Sequence, residues 1–333
     1  MQWVSLNRIM PPKWLGLLIL FVPLAVFAAE PRVAASIKPV HALVAGVMQG
    51  VGTPQLLVPG AASPHDYSLR PSDARAINQA DVVFWIGPDL ESFLVKPLAN
   101  AKQARSVTMM DVSGVTILPL REGGAWEPHQ HGHDEHDHDH NHRRSGGQDA
   151  SRDAHVWLDP VNATAMVQRI VAVLGEVDAP HRADYERNGA ALVERLDRLN
   201  QQLAVELEPV KHQPYLVFHD AYQYFERRYG LNAVGSVVLD PERRPGAKRV
   251  AEIQARIRDL KVRCVFSEPQ FQPALVDTII AGGDVRRGVL DPLGAELPAG
   301  PDAYFLLLQR LSGSLRSCLS GSLAVGPAAE DVD

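Results

Sequence analysis

Short apolar runs alternate with helical patterns along most of this chain of 333 residues. Runs at 33–37, 55–58, 81–86, 215–218, 262–266 and 285–290 are rich in β-branched or aromatic residues and bounded by Pro, Gly or Asp, which predicts strands. Between them the spacing predicts helices over 71–79, 161–174 and 247–260, with Pro71 in a first turn and Ser68 or Ser72 as the candidate cap. From 180 to 207 the helix breaker is Gly189, and Leu192, Leu196, Leu199, Leu203 and Leu207 recur at spacings of three and four. That is one amphipathic helix, roughly 40 Å long at about 1.5 Å per residue. Strand–helix units precede and follow it, so the pattern predicts an α/β fold: two lobes with mainly parallel sheets, joined by one long helix. The alternative, a single sheet with an overlong crossover, leaves that helix overhanging the sheet. The expected boundaries are 29–175 for the first lobe, 180–209 for the joining helix and 212–322 for the second lobe.

The first 28 residues stand outside that pattern. Arg8 and Lys13 are their charges, an apolar run follows from Trp14 to Phe27, and Val26-Phe27-Ala28 places small residues at a cleavage site. This is the pattern of a secretory signal. A membrane anchor is the rival, but about fourteen apolar residues fall short of the roughly twenty a spanning helix needs. After cleavage nothing in the chain is apolar enough to insert in a bilayer. An exported chain permits a disulfide between Cys264 and Cys318, which the chain-entropy model values at roughly 4 kcal/mol. The alternative is two buried thiols.

Composition adds two points. A net charge of −6 gives no basic face for nucleic acid. Of the 13 histidines, seven (His129, His131, His133, His136, His138, His140 and His142) crowd one stretch and alternate with Asp134, Glu135, Asp137 and Asp139. The segment 121–153 around them has too little apolar content to pack, which predicts a disordered insert. It reads as an auxiliary metal-binding loop or as a solvated spacer.

Elsewhere the candidate chemistry gathers near strand ends, where open α/β sheets bind ligands. His219 ends the apolar run that starts at Tyr215, and Asp291 ends Gly288-Val289-Leu290 in the same way. His65 lies in Ser63-Pro64-His65-Asp66-Tyr67 and His155 opens His155-Val156-Trp157-Leu158. Three imidazoles and a carboxylate suit zinc. Taken singly, each is as well read as a capping or hydrogen-bonded group. His41 lies near the same sheet edge, His181 and His212 flank the long helix, and Glu268 is placed either to orient a ligand or to fix its own loop. Asp66 and Asp220 carry the same two readings as Glu268, and Tyr222, Tyr224 and Phe225 read as packing.

These segments, together with Trp85-Ile86-Gly87-Pro88, Val217-Phe218-His219-Asp220-Ala221-Tyr222, Phe266-Ser267-Glu268-Pro269-Gln270-Phe271 and Leu290-Asp291-Pro292-Leu293-Gly294, resemble the periplasmic zinc-binding proteins of zinc ABC importers, the ZnuA-like family. The resemblance covers nearly the whole chain after the signal, in order, with the His-rich insert in between. It implies two Rossmann-like lobes with Zn²⁺ in the cleft, and a monomer that performs no catalysis and delivers zinc to the membrane permease of a zinc ABC transporter. His65, His155 and His219 fall on the family's three histidine ligand positions. Cys264 and Cys318 match the disulfide of its zinc-specific members. Some of those members have Glu just before the first ligand histidine; here it is Pro64, which leaves Asp291 or water as fourth ligand. Two rivals stand beside this reading. A secreted zinc hydrolase would use three His and an open position, but the chain has no His-Glu-x-x-His helix. A manganese or iron carrier of the same fold would favour more carboxylate than His219 provides.

Overall fold

Four short strands, each feeding a helix or turn, build the first half of the chain in the computed structural model, which describes residues 30–121, 126, 151–238, 241, 245–272 and 274–321. They are β1 (Val33–Ala35), β2 (Gln55–Leu56), β3 (Val82–Trp85) and β4 (Arg105–Thr108), paired in parallel in the order β2-β1-β3-β4. The second half repeats the scheme with β5 (Tyr215–Val217), β6 (Ala233–Ser236), β7 (Cys264–Ser267) and β8 (Arg286–Val289), in the order β6-β5-β7-β8. The central strands β1, β3, β5 and β7 are buried throughout, as sheets covered on both faces require. Two α/β lobes with parallel sheets result.

The helices between strands are α1 (Lys38–Val47), α2 (Pro71–Gln79), α3 (Val95–Asn100), α6 (Gln223–Tyr229), α7 (Ala247–Asp259) and α8 (Ala274–Ile280). Joining the halves are α4 (Pro160–Val177) and α5 (Arg182–Leu207), and α9 (Ala303–Ser320) closes the chain. The leucines of α5 from Leu192 to Leu207 are buried at their three-and-four spacing. A single 3₁₀ turn, Ala179–His181, precedes α5, so the helix starts two residues later than the pattern suggests. Helix α9 packs on both α1 and α5, so the last element of the second half leans on the first. One hydrophobic core accordingly runs from Val33 to Leu319 through both lobes.

Several local expectations need correction. Neither Ser68 nor Ser72 caps α2: Arg70 holds the cap position, and its backbone N–H donates to the Asp73 carboxylate one turn in. Strands β4 and β6, and helices α1, α3, α6, α8 and α9, go beyond the elements expected from periodicity. The insert is also narrower than 121–153. Pro119 and Arg152 pair as an antiparallel bridge, Leu120 N donates to Ser151 O, and Asp153 is buried. Ion pairs of Arg121 and Arg152 and backbone hydrogen bonds hold these ends, with Leu118, Trp126 and Ala154 packed on or in the core. The seven clustered histidines and the signal segment lie outside the described residues.

Cys264, at the start of β7, is bonded to Cys318 in α9, with Cα atoms 6.2 Å apart. No helix among the described residues is long and apolar enough to cross a membrane.

Candidate metal centre

Three histidines from different parts of the chain meet between the lobes. His65 hangs on the loop after β2, and that loop is pinned where Tyr67 Oη donates to Asp73 at 3.0 Å. His155 precedes a 3₁₀ turn (Val156–Leu158), which Asn162 holds by accepting from Thr116 N and donating to Val156 O. His219 lies just beyond the carboxyl end of β5. Ring centroids are 5.4, 5.6 and 5.3 Å apart, and one nitrogen from each ring lies within 4.8 Å of the other two. His155 and His219 are buried, whereas His65 is half-buried and forms the outer side.

Carboxylates fix the two buried rings. Asp153 Oδ1 lies 2.8 Å from His155 Nδ1, and Glu268 Oε1 lies 2.8 Å from His219 Nδ1. A carboxylate accepts, so each Nδ1 carries the proton and each Nε2 turns its lone pair inward. The two Nε2 atoms stand 3.4 Å apart. Ligands about 2.0–2.1 Å from a tetrahedral ion are separated by about 3.3–3.4 Å, so this pair is already at the edge length of a zinc site. Two facing lone pairs also need a cation between them. Burial pushes the His155 pKa down to about 3, aided by the charge of His219. Burial acts on His219 in the same sense, but Glu268, Asp220 and Asp153 outweigh it and raise its pKa. Below that raised pKa a metal must displace a proton from His219 to reach its Nε2.

The surrounding field is negative. Arg121 donates to Asp220 and, at 2.6 Å, to Glu226, and its guanidinium lies 3.4 Å from the centre of the Trp126 ring. Arg121 thus faces Asp153, Asp220 and Glu226, while Glu268 pairs with His219. Burial raises both Asp153 and Glu226 to about 7, and Arg121 works against that rise. A divalent ion between the imidazoles relieves the excess. Trp157, Phe271, Pro64, Pro292 and Leu293 wall the pocket, whose cavity of about 10 Å³ has room for about one water-sized sphere.

The other candidates fall elsewhere. His41 is buried in α1 with Nε2 3.0 Å from Pro54 O, outside the cluster. His181 pairs with Asp178, and His212 is exposed. Asp66 is exposed, and Tyr222, Tyr224 and Phe225 are buried in the core. Asp291 Oδ1 accepts from Gln270 Nε2, Leu293 N and Gly294 N, its Oδ2 accepts from Ala295 N, and it is not part of the three-residue cluster. Asp153 and Arg121 are the functional residues that pattern reading passes over, because both look like the ends of the polar insert. The available signal is a carboxylate two residues before a candidate ligand.

Two parallel α/β lobes with a three-imidazole pocket between them define a class: two-lobed solute-binding proteins shaped to take a metal ion. The particular family follows from the sequence. The model of the family described as zinc-uptake complex component A, periplasmic (ZnuA), matches residues 33–318, and the chain belongs to that family. It is 50% identical over 305 residues to the high-affinity zinc uptake system protein ZnuA of Brucella suis, covering 86% of this chain and 91% of that one. The protein of the same name from Yersinia pestis is 34% identical over 299 residues, covering 87% and 92%. A crystal structure of ZnuA superposes with a TM-score of 0.72 at 24% identity, covering 87% of this chain and all of the other, which supports the fold.

Proposed function

We propose that this protein captures Zn²⁺ in the periplasm and delivers it to the membrane permease of a zinc ABC importer. The observation that carries the reading is the pair of buried Nε2 atoms 3.4 Å apart, each aimed by a carboxylate on its Nδ1. In this reading His65, His155 and His219 bind the ion through nitrogen and water completes the shell, because both oxygens of Asp291 are already engaged by its own loop. Residues 1–28 act as the export signal, and His129 to His142 form an auxiliary, weaker zinc loop. The lobes are 29–175 and 212–322, with 180–209 between them.

The family and its relatives support carriage over catalysis, and so does the chemistry. Asp153 and Glu268 each turn one oxygen to an imidazole Nδ1, a placement that orients rings rather than activates water, and the cavity among the histidines is only about 10 Å³. A nitrogen-only set also favours zinc over manganese, a harder ion that prefers oxygen. Elemental analysis of the exported protein, purified from cells grown with equal zinc and manganese, should find zinc. Manganese in the tight site would refute the reading.

A further inference from the structure

Lys38 is buried although it begins a helix on the side of α1 that faces the second lobe. Its Nζ donates to three backbone carbonyls of the other lobe: Gly294 at 2.6 Å, Ala295 at 2.9 Å and Leu297 at 2.7 Å. An ammonium has three protons, and all three are used. The opposite side of the same loop rests on Asp291, which accepts from Leu293, Gly294 and Ala295 N–H groups. One peptide unit, Gly294–Ala295, therefore spans the two charges, its carbonyl on Lys38 and its N–H on Asp291. Its dipole is aligned with the field between them. Gly294 makes the turn at φ +68°, a conformation that a side chain disfavours.

The loop reaches the metal pocket by a short route. Gln270 Nε2 donates to Asp291 Oδ1 at 2.8 Å and lies 3.4 Å from Gly60 O, at the root of the segment that carries His65. Gly60 also lets the lysine pass: a Cβ there would stand 2.6 Å from Lys38 Nζ and 3.0 Å from Ala295 Cα. Gln270 and Leu293 both line the pocket. Burial lowers the Lys38 pKa, and Asp291 opposes that shift.

We propose that Lys38, the Gly294–Ala295 peptide and Asp291 form a charge-clamped latch across the cleft, and that this latch sets how slowly the metal leaves. Lys38 and Asp291 are positioning residues: neither touches the ion, and both hold the wall through which it must depart. The proposal rests on the zinc-carrier reading and gives Asp291 a role other than ligation.

The test is zinc release from the full-length protein into excess chelator, followed in its slowest phase. Lys38→Met, similar in length and uncharged, should speed that phase at least tenfold while the association rate is unchanged. Asp291→Asn should do the same, and the double variant should be no faster than either single one, because both break one latch. A merely structural lysine would lower the melting temperature without moving the release rate. Release from Lys38→Met at the wild-type rate overturns the proposal. So does fast release confined to Asp291→Asn, which would make Asp291 a ligand. If Lys38→Met does not fold, Lys38→Gln, which keeps a donor, should still release faster than wild type, and wild-type release from it overturns the latch equally. If the wild-type protein itself holds no slowly released zinc, the carrier reading fails instead.

Discussion

Asp153 and Glu268 each spend one oxygen on an imidazole proton, and that hydrogen bond decides which nitrogen faces the pocket. Such partners raise ligand basicity and fix the ring, and losing one costs about 10- to 100-fold in metal affinity. Asp153→Asn and Glu268→Gln should each weaken zinc binding by that factor, measured by competition with a chelating dye. Unchanged affinity in both would mean that the rings are held by packing alone. The same pair predicts a pH dependence. The His219 pKa lies above its ordinary value, so below that raised pKa zinc must displace a proton, while His155, held down to about 3, adds none near neutrality. For this pair, apparent affinity should rise by about tenfold per pH unit up to the His219 pKa and level off above it. In metal-free folding the signs are opposite. The His219 proton stabilises the fold below pH about 6.5 and that contribution is lost as pH rises through its folded pKa; neutral His155 costs stability as pH falls from about 6.5 toward 3. Zinc titrations across the neutral range that show no slope would contradict this assignment.

At the scale of elements, β7 separates two roles by its length. Cys264 opens the strand and Glu268 follows its last residue, so the disulfide lies about 13 Å from the carboxylate that orients His219. Replacing Cys264 and Cys318 together by Ala should cost about 2–4 kcal/mol in denaturant unfolding and leave zinc affinity intact. A loss of affinity in the folded double variant would place the bridge in the metal site's support. Elements also differ in how legible they are from sequence. Helix α2 is readable at both ends because Pro71 starts it and its apolar positions keep a helical spacing. Helix α1 is not, because all ten of its residues are buried between lobes and no polar face gives it a period. The edge strands β4 and β6 are half polar or interrupted by Gly235, which hides their alternation. Among site residues, His65, His155 and His219 stand out by type and by position after strands or before a helix. Asp153 stands out only by lying two residues before His155, because what commits it to that ring is burial, which the sequence pattern does not report.

In the whole molecule the lobes are fastened at several points. Trp157 Nε1 donates to Pro292 O at 2.8 Å, Tyr304 Oη donates to Trp157 O at 2.7 Å, and Arg228 forms two hydrogen bonds with Asp159, the N-cap of α4. With α9 packed on α1 and α5, both halves share one core, so thermal unfolding should be a single transition that zinc shifts upward by mass action. Two resolved transitions in the metal-free protein would contradict a shared core. The central claim is that three imidazoles of this one pocket make the tight zinc site. It is tested most directly by competitive titration of zinc and manganese into the wild-type protein and its His65→Ala, His155→Ala and His219→Ala variants. The wild type should show one tight, zinc-selective site, and every variant should lose that affinity by orders of magnitude; wild-type zinc affinity in any of the three, or manganese binding as tight as zinc, would rule out this three-imidazole site.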